Sequence, residues 1–208
     1  MKRLAILGAS GHGKVVADAA QCCGWDHVDF YDDAWPGRAH NGNWLVVGDS
    51  AAMYTRLHDY QGVIVAIGNN AVRHLKLNAL FEASAPVVSV IHPAAIISQY
   101  ASIGPGSVVF AGAAVNVDAK IGFGAILNTG CSVDHDCVLG DSVHVSPGAR
   151  LAGAVSVGDR SWVGIGSSVR QMISIGSDVV VGAGASVVSD VKDSVVVVGV
   201  PAKVIPTE

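Results

Sequence analysis

From Ile91 to Val187, every sixth residue is isoleucine, leucine or valine, and no insertion breaks the count. The row runs Ile91, Ile97, Ile103, Val109, Val115, Ile121 and onward to Ile175, Val181 and Val187. Helices repeat every 3.6 residues and strands every 2, so a period of six belongs to neither. It is the period of a short strand plus a turn, the hexapeptide signature of a parallel β-helix.

Each hexad makes one flat side of a coil and three sides close it. The aliphatic residue points inward. The residue two places before it is usually small, as at Ala95, Ser107, Ala119, Cys131 and Ala149, which lets the chain turn a corner. Glycine often follows the aliphatic residue, as in Ile103-Gly104 and Ile121-Gly122, and is expected to relax the backbone there. Seventeen hexads make between five and six coils, stacked about 4.8 Å apart. The repeat fails at Asp193, where an aliphatic residue is due.

The N-terminal part reads differently. Residues 3–7 are a buried strand, Gly8 to Gly13 a glycine-rich turn, and Lys14 to Cys23 a helix. Val28–Tyr31 is a second strand ending in Asp32-Asp33, and 34–49 a loop with a short strand at Trp44–Val47. Ser50 caps a short helix, Gly62–Ile67 is a third strand, and 71–83 a further helix. Strands alternating with helices make a small parallel α/β domain. The expected division is an α/β domain over 1–90 and a β-helix with its tail over 91–208.

Net charge is −4 and no basic stripe is present, which argues against a nucleic-acid partner. Mean hydropathy is high at +0.46, and residues 83–117 carry no charged side chain. Pro86, Pro93 and Pro105 and the six-residue period argue against a membrane span. The apolar run after Lys2-Arg3 is short for a signal peptide, so a cytoplasmic protein is expected. The four cysteines match no zinc or disulfide spacing and are expected reduced and mostly buried.

A glycine-rich turn between strand and helix can cradle a phosphate at the helix N-terminus. The order here is Gly-x-x-Gly-x-Gly, not the dinucleotide Gly-x-Gly-x-x-Gly. A tight turn without a ligand remains open. Asp32 and Asp33 stand where an acid could accept from a ribose or base, so an NAD reading survives, weakened by the glycine order. They could equally be exposed loop acids. In the repeat, His135 lies between Asp134 and Asp136, and a carboxylate beside an imidazole makes it a better base. A surface histidine is the plainer reading. His144, like His135, falls outside the aliphatic row and should project outward or sit at a corner. Two repeat histidines plus the distant His92 do not make a three-histidine metal site.

Taken together, the Gly8 to Lys14 turn, Asp32-Asp33, Ala66 to Asn70 with Arg73, Asn128-Thr129, Asp134 to Cys137 and His144 to Gly148 carry a resemblance. The chain resembles, over nearly its whole length, the hexapeptide-repeat nucleotide-sugar acetyltransferases. These include the bacillosamine and perosamine N-acetyltransferases and sialic acid O-acetyltransferase-like proteins. The resemblance implies a Rossmann-like N-terminal domain, a left-handed β-helix, acetyl-CoA as co-substrate, a nucleotide-linked amino sugar as acceptor, no metal, and a homotrimer. It implies that Ser10, Gly11 and His12 hold the diphosphate and Asp32 and Asp33 the nucleoside, with Asn69, Asn70 and Arg73 in the same cleft. His135 would be the general base, Asp136 its orienting acid, and Asn128 and His144 their neighbours. Some relatives carry Glu where Asp134 and Asp136 stand, which leaves open which acid contacts the imidazole. His144, Ser146, Gly153, Ile165, Ala183 and Lys203 would line the acetyl-CoA groove. Gly153, one coil after His135, would offer its N–H to the thioester oxygen. O-acetylation of a sugar and a non-catalytic β-helix scaffold are the alternatives.

Overall fold

A computed structural model describes residues 1–205. The chain divides into two compact units, Met1–Pro93 and Ala94 onward.

The first unit holds β1 (Arg3–Leu7), α1 (Gly11–Cys22), β2 (His27–Tyr31), β3 (His40–Asn41), β4 (Trp44–Gly48), α2 (Ser50–Thr55), β5 (Gly62–Val65) and α3 (Asn70–Glu82). The sheet order is β3-β4-β2-β1-β5. All pairs are parallel except β3 with β4. Leu4 to Leu7 and Val63 to Val65 are buried along their whole length, as strands covered on both faces must be. Strand order reverses at β1, between β2 and β5, and in such sheets a crevice opens beyond the strand ends at that point. Gly8 ends β1 with φ +111°, and a Cβ there would lie 2.8 Å from the Ala66 carbonyl oxygen, so no larger residue fits.

One cap differs from expectation. Asp49, not Ser50, caps α2: it has extended backbone, and its carboxylate accepts from the Ala52 N–H at 2.8 Å. Both residue types cap well, and a carboxylate adds a favourable charge at the helix start.

The second unit is a stack of two-residue strands. Residues eighteen apart pair in parallel, as Ala114 with Ser132 and Ser132 with Arg150. The aliphatic row forms one continuous buried core with the small residues. Its start is later than the sequence count implies. Ile91 is 40% exposed while Val90 is buried, so the inward row begins at Ile97, which packs against the core. Its end is also later. Ile175 pairs with Val191 and Val181 with Val197, each sixteen residues on instead of eighteen. The last coil is therefore two residues shorter, and Val191 and Val197 continue the row past Asp193. Asp193 turns its carboxylate to the Ser177 N–H at 2.8 Å.

The glycines that follow the aliphatic residues have a different reason from the one expected. A Cβ on Gly104 would lie 2.5 Å from the Phe123 nitrogen of the next coil, so this corner needs glycine for close stacking. From Val109 to Val187 the left-handed backbone position lies three residues before each aliphatic residue, at glycines such as Gly106, Gly112, Gly124 and Gly130, but equally at residues with side chains such as Asp118, Asp136, Ser142 and Arg160.

Cys131 and Cys137 are buried, and burial pushes the Cys131 thiol up to about 12. Cys22 is exposed and Cys23 half-buried, contrary to the expectation that most of the thiols lie inside.

Candidate active site

His135 stands at a corner of the β-helix, its side chain 54% exposed. Its Nδ1 lies 2.7 Å from Oδ2 of Asp136. A carboxylate only accepts, so the proton sits on Nδ1 and Nε2 keeps its lone pair. The hydrogen bond to Asp136, then the charges of Asp134 and Asp136, raise the imidazole pKa above its usual value. Asp134 has a separate task. Its Oδ1 accepts from the His135 backbone N–H and from Asn116 Nδ2, each at 2.8 Å.

Gly153 sits on the next coil, directly against the ring. A Cβ there would lie 2.5 Å from both Cε1 and Nε2 of His135. Among the described residues the Gly153 N–H has no acceptor, while its carbonyl takes the Met172 N–H at 3.0 Å. A base with a free lone pair and an open backbone donor thus share one corner.

His144 is on the outer side of the coil but is not exposed: Trp162, one coil on, stacks on it at 4.8 Å and 24° and leaves it 7% accessible. Trp162 is fixed by its Nε1 bond to Ser146 Oγ at 2.6 Å. Asn128 bonds His144, with Nδ2 and Nε2 3.2 Å apart, and so groups with His144 instead of His135. A groove of about 510 Å³ runs over Asn128, His144, Ser146, Trp162, Ile165 and Ala183. Ile165 and Val180 expose apolar surface into it. Lys203 is not part of this groove. It lines a different one, with Lys192, Val197 and Val204, at the end of the coil stack.

The first unit has a crevice of about 260 Å³ lined by Gly8, Ser10, Asp32, Asp33, Ile67, Gly68 and Lys76. Asp32 shapes it: Oδ2 accepts from the Ala9 N–H at 2.7 Å and Oδ1 from the Ala34 N–H at 3.0 Å. Asp33 is more open. Its Oδ1 accepts from the Ser50 N–H at 2.9 Å, Lys76 Nζ stands 3.7 Å from Oδ2, and the Ser50 bonds hold its carboxyl below the usual range. Ser10 does not cap α1 with its hydroxyl, and Gly11 is exposed at the first turn, so the helix start is open to an anion. Burial, then the charge of Arg73, pushes His12 down to about 4, so it is neutral near pH 7.

Asn69, Asn70 and Arg73 brace this crevice and do not line it. Asn69 caps α3, accepting from the Val72 N–H at 3.0 Å. Arg73 is 1% exposed and donates to Asn70 Oδ1 and to the carbonyls of Ile67 and Gly68. Burial pushes its guanidinium down to about 9. Sequence reasoning missed Lys76, Trp162 and Asn116. Trp162 and Asn116 were within reach, since each lies eighteen residues, one coil, from a residue already singled out (His144 and Asp134).

Residues 3–80 match the family model of the PglD N-terminal domain. A histidine-to-asparagine variant of perosamine N-acetyltransferase from Caulobacter crescentus, in complex with CoA and GDP-perosamine, is 40% identical. The match covers 100% of this chain and 98% of that one, with a TM-score of 0.94. This chain belongs to that acetyltransferase family. The acetyltransferase domain of PglB from Neisseria gonorrhoeae, in complex with acetyl coenzyme A, is 38% identical over 98% of this chain and 99% of its own, with a TM-score of 0.94. A curated relative, UDP-N-acetylbacillosamine N-acetyltransferase of Bacillus subtilis, is 38% identical over 110 residues, which span 52% of this chain and 51% of that protein. The fold of the family is the expected one, an α/β Rossmann-like domain followed by a left-handed parallel β-helix.

Proposed function

We propose that this protein transfers an acetyl group from acetyl-CoA to the amine of a nucleotide-linked 4-amino-4,6-dideoxy sugar, carried on UDP or GDP. The observation that carries the reading is the corner where the free Nε2 of His135 meets Gly153. His135 takes the proton that the amine loses as it attacks the thioester carbon. The Gly153 N–H donates to the oxygen on which negative charge develops. The C–S bond breaks, and the proton held on Nε2 goes to the departing thiolate. Asp136 steadies the charged imidazole in between.

His144, Ser146, Ile165 and Ala183 would hold CoA, since an apolar floor with a few polar groups suits a pantetheine chain. Ser10, Gly11 and His12 would face the diphosphate and Asp32, Asp33 and Lys76 the nucleoside. The relatives solved with CoA and GDP-perosamine or with acetyl-CoA support the two classes of ligand. Lys203, apart from the groove of its own chain, would meet the cofactor of a neighbouring subunit in a homotrimer. No helix among the described residues is long and apolar enough to cross a membrane, in keeping with a cytoplasmic enzyme.

The test is acetyl-CoA turnover, followed as free thiol, against UDP-, GDP- and dTDP-linked 4-amino sugars and a free hydroxyl sugar. Turnover with an amino sugar is expected. Turnover with the hydroxyl sugar alone would favour O-acetylation, and none at all would favour a scaffold.

A further inference from the structure

The His135 imidazole is held by its neighbour Asp136, but its backbone is held from another coil. Asn116 lies one coil before Asp134, eighteen residues earlier, and donates from Nδ2 to Asp134 Oδ1 at 2.8 Å. The same oxygen accepts the His135 N–H at 2.8 Å. On its other side, the His135 carbonyl takes the Ala154 N–H at 2.8 Å. The main chain of the base is thus fixed at both ends.

We infer that Asn116 is a positioning residue for the proposed reaction: by donating to Asp134 it sets both the placement and the charge environment of His135. This rests on the reading of His135 as the base. An exposed carboxylate with no second donor is free to choose among rotamers. The amide removes that freedom, because only one Asp134 geometry serves both donors. Two carboxylates act on the imidazole, Asp136 through Nδ1 and Asp134 through space, so any change at Asp134 is felt by the ring. The core offers no competing explanation. Asn116 is exposed and outside the aliphatic row, and its own N–H pairs with the Val133 carbonyl at 3.0 Å whatever the side chain.

The variants are Asn116→Ala, which removes the donor, and Asn116→Asp, which replaces it with a near-isosteric acid that adds a negative charge. Steady-state rates would be measured across pH with both substrates saturating, beside melting curves and an NMR titration of the His135 ring. Asn116→Ala is expected to lower kcat by about tenfold, the scale of a small misplacement of a catalytic group, with KM and melting temperature near the parent's. Asn116→Asp is expected to raise the His135 titration midpoint and move the acid limb of the rate profile to higher pH by the same amount. A parent-like kcat in Asn116→Ala, or an unmoved His135 midpoint in Asn116→Asp, would overturn the inference. The ring titration does not depend on turnover. An inactive parent with a shifted midpoint would therefore refute the function and leave the coupling of Asn116 to His135 standing.

Discussion

His135 and Asp136 are consecutive in the chain, yet their side chains meet at 2.7 Å, because Asp136 takes up the left-handed backbone position of the corner with φ 60°. About half of the corners of the β-helix carry glycine there, and the rest carry residues with a side chain. Aspartate tolerates that conformation better than most residues, so the site gains a carboxylate at modest backbone cost.

Replacing His135 by Ala is expected to lower kcat by about 10²–10⁴-fold, the usual worth of general-base help. Because the ring lies outside the aliphatic stack, the melting temperature should stay near the parent's. Kinetics and a melting curve check both halves. A large loss of melting temperature would make the residue structural.

The pH profile follows from the same pair. Asp136 and Asp134 raise the His135 pKa above 6.5, so the neutral base appears only at higher pH. The rate should rise with pH through a midpoint above that value. Asp136→Asn should move the midpoint down and lower kcat, by less than the loss of His135. A midpoint at or below 6.5 in the parent would contradict the geometry.

Gly153→Ala is the sharpest steric test. Its methyl would need the space now filled by Cε1 and Nε2 of His135. The ring is expected to swing away, with kcat falling by about 10²-fold for a shift near 1 Å, and the core should not notice. Near-parent turnover would mean that the base is not held where the structure puts it.

Asp32 and Asp33 should separate. Asp32→Ala removes two backbone hydrogen bonds, one from Ala9 in the glycine-rich turn and one from Ala34 just after β2. It is expected to cost stability by ~1–3 kcal/mol and to raise KM for the nucleotide sugar. Asp33→Ala is more exposed and should raise KM with little change in melting. Neither should alter acetyl-CoA affinity. Titration calorimetry with each ligand would decide, and unchanged sugar binding in both would relocate the nucleoside.

The β-helix was legible because its side-chain period is set by geometry alone: six residues make a side, and every inward slot from Ile97 to Val187 is aliphatic. Its ends were not. Ile91 has the right chemistry but points outward, and nothing in the residue types announces that Val191 takes the slot due at Asp193. The His135 corner could be read from Asp-His-Asp, but not the choice between the two acids, which the backbone twist at Asp136 decides. Arg73 looked like a cleft residue and proved to be a buried brace. A guanidinium turned inward to the Ile67 and Gly68 carbonyls and Asn70 leaves no mark in the sequence that separates the two roles.

The coil also constrains how such a chain can change in length. Asn116, Asp134 with His135, and Gly153 occupy three consecutive turns, and every pairing between turns in this part of the stack is offset by eighteen residues. An insertion or deletion of eighteen residues outside those turns would add or drop one whole layer and leave every remaining neighbour in place. Within this uniformly paired part of the stack, a change that is not a multiple of eighteen would shift the layers beyond it, carrying Gly153 away from the imidazole or aliphatic side chains out of the core. Growth of this half of the molecule is therefore quantised, and the three turns around His135 are the stretch in which even a whole-layer change would be lethal to the site.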